Sequence, residues 1–225
     1  MIYGRRDLPM RPQVGLQDYS KALQSALFAL DLIAIRQAAA ILFEAWQNGR
    51  SVFVCGNGGS WSTAEHFATD LRKWSRVPGS GGVRSQALTH GPLATAYAND
   101  HDYAEIFSRQ LSDLARSHDV VVGISCSGAS KNVINALYHA YRFAGLSIAL
   151  TGPDGMRPYW LGNVQSQAAN LEIRVQAEDI RIIEDCHLAI CHMLAGEVRD
   201  RIAQSQETPG ASDRVPAALD DQARS

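Results

Sequence analysis

Cysteine is scarce and shows no pairing pattern: the 225 residues hold Cys55, Cys126, Cys186 and Cys191, with no CxxC spacing among them. A disulfide framework is therefore excluded, and reduced thiols in a cytoplasmic protein are expected. No secretory apolar region follows Met1, and the longest apolar stretches, such as Ala38 to Phe43, are cut by charge well before membrane-spanning length. A long basic run is also missing and the formal net charge is -2, so nucleic acid is not the default partner. Neither the GxxxxGK[ST] pattern nor a dinucleotide fingerprint with its acidic residue occurs, which leaves no compelling nucleotide fold.

What is present is a 46% hydrophobic, 20% charged chain, enough for one domain with a sizeable core. Pro9 and Pro12 mark residues 1–15 as an irregular N-terminus. Residues 204–225, rich in Pro, Ala, Ser and charge, read as a disordered tail. Between them, residues 16–203 alternate helix-like and strand-like patterns. Two helices fill Leu16 to Asn48 with a break near Asp31. Strands are expected at Ser51–Cys55, Arg84–Leu88, Val120–Ile124, Leu146–Leu150 and Leu171–Val175. Helices are expected at Trp61–Trp74, Pro92–Ala98, Tyr103–Ala115, Asn132–Phe143 and Asp179–Ile202. Repeated alternation predicts an α/β fold, a doubly wound parallel sheet flanked by helices and preceded by N-terminal helices.

Two loops fall where such a sheet binds ligands, beyond the carboxyl ends of strands. The first, Cys55-Gly56-Asn57-Gly58-Gly59-Ser60, can turn tightly and aim backbone N–H groups and a helix N-terminus at an anion. The second, Ser125-Cys126-Ser127-Gly128-Ala129-Ser130, offers three hydroxyls, with Lys131 adding positive charge. Taken singly, each also reads as an ordinary turn, with Ser130 capping the next helix. On the helix after the first loop, His66 and Asp70 share one face, where Asp70 could equally pair with Arg72 or Lys73.

These segments, together with EHFATD, the AND of Ala98 to Asp100, LTGPDG and the terminal IIEDCHLAICH, resemble in content and order the sugar isomerase (SIS) domain family, and within it the phosphoheptose isomerases. The resemblance spans roughly Leu23 to Arg199 and implies the flavodoxin-like SIS fold. It implies conversion of sedoheptulose 7-phosphate to D-glycero-D-manno-heptose 7-phosphate through an enediol. Asn57, Gly58, Ser60, Ser125, Cys126, Ser127 and Ser130 fall at substrate and phosphate contacts, with Asp100 beside the sugar chain and Glu184 also at the substrate. His66, Asp70, Glu184 and His192 fall where the family keeps metal and catalytic side chains, implying one zinc ion per site, with Asp70 as base and His192 as acid. The family usually has Glu at the position of Asp70 and Gln at that of Glu184; Cys126 and Ala129 also replace hydrogen-bonding residues.

A homotetramer is implied, with sites at subunit boundaries. Glu184 and His192 lie eight residues apart, about 12 Å along a helix, so one of them is expected in a second layer or from a neighbouring subunit. His187 in place of His192 facing the substrate is the competing reading of the last helix. The competing functions are a non-catalytic sugar-phosphate-binding or adaptor protein and an isomerase of another phosphorylated ketose.

Overall fold

The computed structural model describes residues 14–161 and 164–207. In chain order the elements are α1 (Leu16–Phe28), α2 (Leu32–Gln47), β1 (Ser51–Gly56), α3 (Gly59–Lys73), β2 (Arg84–Ala87), α4 (Gly91–Asp100), α5 (Ile106–Leu114), β3 (Val120–Ser125), α6 (Lys131–His139), β4 (Leu146–Thr151), β5 (Tyr159–Leu161), β6 (Val164–Ser166), β7 (Leu171–Arg174) and α7 (Ile180–Glu207). Short 3-10 turns cover Tyr103–Glu105 and Ala140–Phe143. Five strands pair in parallel in the order β2-β1-β3-β4-β7, and β5 and β6 form a separate antiparallel hairpin. The doubly wound fold expected from the alternation is the one found.

Residues of opposite parity on each strand feed two cores. Val52, Val54, Val120, Val122, Ile124, Ile148 and Leu150 pack beneath α2, α3 and α7. Phe53, Cys55, Val121 and Ala149 pack on the opposite face, where α4, α5 and α6 bring Ala94, Phe107 and Leu137. Burial on both faces explains why these strands read as unbroken apolar runs, and each full burial of a large side chain contributes roughly 1.5–3 kcal/mol.

Local signals set the boundaries. Asp31 breaks the N-terminal helical stretch because its carboxylate accepts from the N–H groups of Ile33 and Ala34 at 2.9 and 3.0 Å, capping α2. Asp102 accepts from Ala104 N and starts the Tyr103 segment as a 3-10 turn rather than the expected α-helix. The helix from residue 131 tightens after His139 and stops at Ala144, which is left-handed at φ 52. The β5–β6 hairpin was not anticipated, since three-residue strands are too short to show alternation. α7 extends to Glu207, so the segment expected as tail from residue 204 begins as helix; its remainder, like residues 1–13, lies outside the described residues. Among the described residues no single helix is long and apolar enough to cross a membrane.

Close packing of α6 on β3 depends on Gly123, where a Cβ would lie 2.8 Å from Val133 Cγ1 and 2.9 Å from Leu137 Cδ1, both in the core. Gly123→Val is expected to cost about 1–3 kcal/mol through overpacking, read as a lower urea midpoint at unchanged slope. An unchanged midpoint would show that α6 has room to move.

Candidate active site

β1 leads outward through α3 to β2, whereas β3 leads the other way through α6 to β4, so the winding reverses between two adjacent strands and opens a crevice at their carboxyl ends. Both special loops border it. Gly58 and Gly128 hold left-handed φ values of 58° and 60°, and a Cβ on Gly128 would lie 1.8 Å from the Gly155 carbonyl oxygen. A reciprocal amide pair ties the loops together: Asn57 Nδ2 donates to Asn132 Oδ1 and Asn132 Nδ2 donates to Asn57 Oδ1, each at 2.8 Å. The Tyr103 hydroxyl donates to the same Asn57 oxygen at 2.9 Å. Asn132 is only 1% exposed, so losing its partner would strand a buried amide at a cost of roughly 1–3 kcal/mol.

Within the second loop Ser125 Oγ donates to Ser130 Oγ at 3.2 Å, and Ser127 Oγ accepts from Ala129 N at 3.2 Å. Ser60 is buried at the start of α3, beside the Cys126 thiol of the second loop. Glu184 of α7 completes this end. Its carboxylate presses on the first turn of α3 so closely that a Cβ on Gly59 would meet Oε1 at 2.5 Å. Burial, then Asp185, raises the Glu184 carboxyl above its ordinary pKa, and burial, then Glu184, pushes the Cys126 thiol up to about 11.

Behind Cys126 sits His187. Its Nε2 lies 3.1 Å from the Thr151 carbonyl oxygen, which can only accept, so Nε2 carries the proton. The Nδ1 lone pair then faces the Cys126 thiol at 3.9 Å. Burial holds this imidazole neutral, with its pKa lowered to about 4. His187 is therefore a buried pin beneath the second loop, not a group facing the crevice.

Further along the same two helices, His66, Asp70 and His192 converge. Asp70 Oδ2 lies 3.2 Å from His66 Nε2 and 3.7 Å from His192 Nε2, and the two nitrogens are 3.1 Å apart. Asp70 Oδ2 is buried and accepts no hydrogen bond, although the imidazoles are near. A buried carboxylate oxygen beside two ring nitrogens is a donor set suited to a divalent cation of borderline softness. Trp74 stands edge-on to His192 with ring centroids 6.3 Å apart.

The site residues expected from sequence thus fall into two groups. Asn57, Gly58, Ser60, Ser125, Cys126, Ser127, Ser130 and Glu184 surround the crevice; His66, Asp70 and His192 lie beyond it. Glu184 is not with the histidines, contrary to its expected place among the metal ligands. It is two turns of α7 away from His192, and the neighbouring turn of α3 there is Gly59. Asp100 is exposed at the end of α4, where its Oδ1 accepts from Asn99 Nδ2 at 2.8 Å. Asn132 and Tyr103 were missed, because each looks like an ordinary helix or turn residue until the chain is folded; His187, read as an alternative to His192 facing the substrate, instead lies buried behind Cys126.

Residues 17–152 match the SIS domain family. A phosphoheptose isomerase from Coxiella burnetii is 30% identical over 192 residues, 84% of this chain and 94% of that protein. One from Helicobacter pylori strain P12 is 33% identical over 178 residues, 78% of this chain and 88% of its own length. The structure of a phosphoheptose isomerase from Francisella tularensis superposes with a TM-score of 0.69 at 30% identity, covering 82% of this chain and 94% of the other. The chain belongs to the phosphoheptose isomerase family of SIS domains. Its crevice and its histidine–aspartate group are both borne by α3 and α7, whose N-terminal ends meet at Gly59 and Glu184.

His187 makes the stability of this isomerase-family fold depend on pH. Its folded pKa, about 4, lies below the ordinary value of 6.5, so its contribution is complete above pH 6.5 and is lost as pH falls toward 4, by about 1.4 kcal/mol per pH unit. Replacing it with Gln is expected to flatten the urea-midpoint profile across that window. A profile as steep as that of the unaltered protein would rule His187 out as the buried group that titrates.

Proposed function

We propose that this enzyme is an aldose–ketose isomerase converting sedoheptulose 7-phosphate to D-glycero-D-manno-heptose 7-phosphate for heptose synthesis. One observation supports it above the others: α3 bears an anion cradle at its start and a carboxylate with two imidazoles further along. From Gly59 to His66 is seven residues, about 10 Å of helix, a distance that an extended seven-carbon chain and its phosphate can span. The serine loop and the N-terminus of α3 suit the phosphate; Asp70 and His192 suit the reacting end.

The reaction moves hydrogen between neighbouring carbons. Asp70, as base, takes a proton from C1 of the ketose, giving an enediol as O2 gains a proton. Return of a proton to C2 and loss of one from O1 yield the aldehyde, with no net gain or loss. His192 handles the oxygen-bound proton, a division of labour suited to a carboxylate and an imidazole. Asn57, fixed by Asn132 and Tyr103, orients the sugar chain. His66, Asp70 and His192 would hold a zinc ion, which supplies polarisation of the carbonyl. With Oδ2 directed at the imidazoles, the other Asp70 oxygen remains for proton transfer. A homotetramer in the cytoplasm belongs to the same reading, supported by the exposed apolar side chains of Phe28 and Ile33 at the α1–α2 corner. The grouping of His66, Asp70 and His192 disfavours a purely binding or adaptor role.

Incubation with sedoheptulose 7-phosphate, with zinc or chelator, should yield the aldose by NMR; no turnover under any metal condition would overturn the reading. Asp70→Asn is expected to lower kcat about 10²–10⁴-fold, with zinc content measured in parallel. Undiminished kcat would remove Asp70 from the base role.

A further inference from the structure

At the opposite end of the sheet from the crevice, where β1 and β2 begin, lies a cavity of about 400 Å³ lined by Arg72, Arg76, Arg84 and Arg116. These arginines come from the end of α3, the start of β2 and the approach to β3, so no basic run in the sequence announces them. No Asp or Glu lines the cavity. The buried Asp119 beside its rim is engaged through both oxygens by the backbone N–H groups of Ser51 and Arg116, each at 2.7 Å. Arg72 is oriented by donating through Nη2 to the Ser85 carbonyl. Among the described residues, the side chains of Arg76, Arg84 and Arg116 have no acidic partner. Four arginines line this one cavity with no carboxylate among the lining residues, and like charges gathered there repel unless an anion joins them.

We infer that this cavity binds an organic polyphosphate of the nucleoside di- or triphosphate class. Planar guanidinium forks match phosphate oxygens two at a time, and the number of cations calls for more than one phosphate. Phe53 and Leu114 add an apolar wall, which an inorganic ion would leave unused. The volume is within the range of small-molecule sites. The ligand would be distinct from the sugar phosphate, since the strands separate the cavity from the serine loop.

Titration calorimetry of the full chain with ATP, and separately with inorganic tripolyphosphate, tests the assignment independently of any isomerase activity. Sub-millimolar binding of both is expected, tighter for ATP, weakened at least about tenfold in an Arg84→Ala/Arg116→Ala double variant that removes two charge-assisted contacts. Saturating sedoheptulose 7-phosphate should leave ATP binding unchanged. Both arginines are exposed, so the variant should keep the parent's thermal midpoint, and Arg84→Lys/Arg116→Lys should retain part of the affinity. No binding of either probe, equal affinity in the alanine variant, displacement by the sugar phosphate, or preference for a single-stranded oligonucleotide over ATP would each overturn it.

Discussion

α3 and α7 both start at the carboxyl end of the parallel sheet and run side by side in one direction, and the candidate site depends on that pairing. At their first turns the Glu184 carboxylate packs directly against Gly59, in space that a Cβ there would contest. Further along, His192 meets His66 and Asp70. Two chemically different ends are thereby spaced by helix rise rather than by a loop, and the distance is fixed by the core beneath both helices. The packing that holds this pair comes from Phe67, Leu71, Ile183, Cys186, Ile190 and Leu194, all buried in the core they share.

The crevice has its own brace. Asn57 and Asn132 exchange amide hydrogen bonds across the two loops, so the glycine turn and the serine turn form one unit. Beneath them the neutral His187 links Thr151 to Cys126. The side chains around the crevice are thus held by buried neutral polar contacts, whereas the charged chemistry sits at the more open His66 and His192 end. Such separation lets an anion bind without competing against a fixed carboxylate other than Glu184, whose ionisation burial disfavours.

Much of this was legible in the sequence for definite reasons. β1, β3 and β4 are buried on both faces and so appear as apolar runs; glycine and serine punctuation marks the loops; the spacing of His66 and Asp70 places both on one helical face. Glu184 was misplaced because sequence spacing gives a distance along α7 but not the turn of α3 opposite it. Asn132, Tyr103 and the arginine cavity depend on residues brought together from separate elements, and a net charge of -2 conceals a strongly basic concavity.

The central claim is that one substrate molecule reaches from the serine loop to Asp70 along α3. A crystal structure of the Asp70→Asn protein with sedoheptulose 7-phosphate tests it most directly. The account predicts phosphate oxygens within hydrogen-bond reach of Ser125, Ser127 and Ser130, and C1 and C2 beside residue 70 and His192. Phosphate bound among His66 and His192, or a sugar chain directed away from α3, would contradict it.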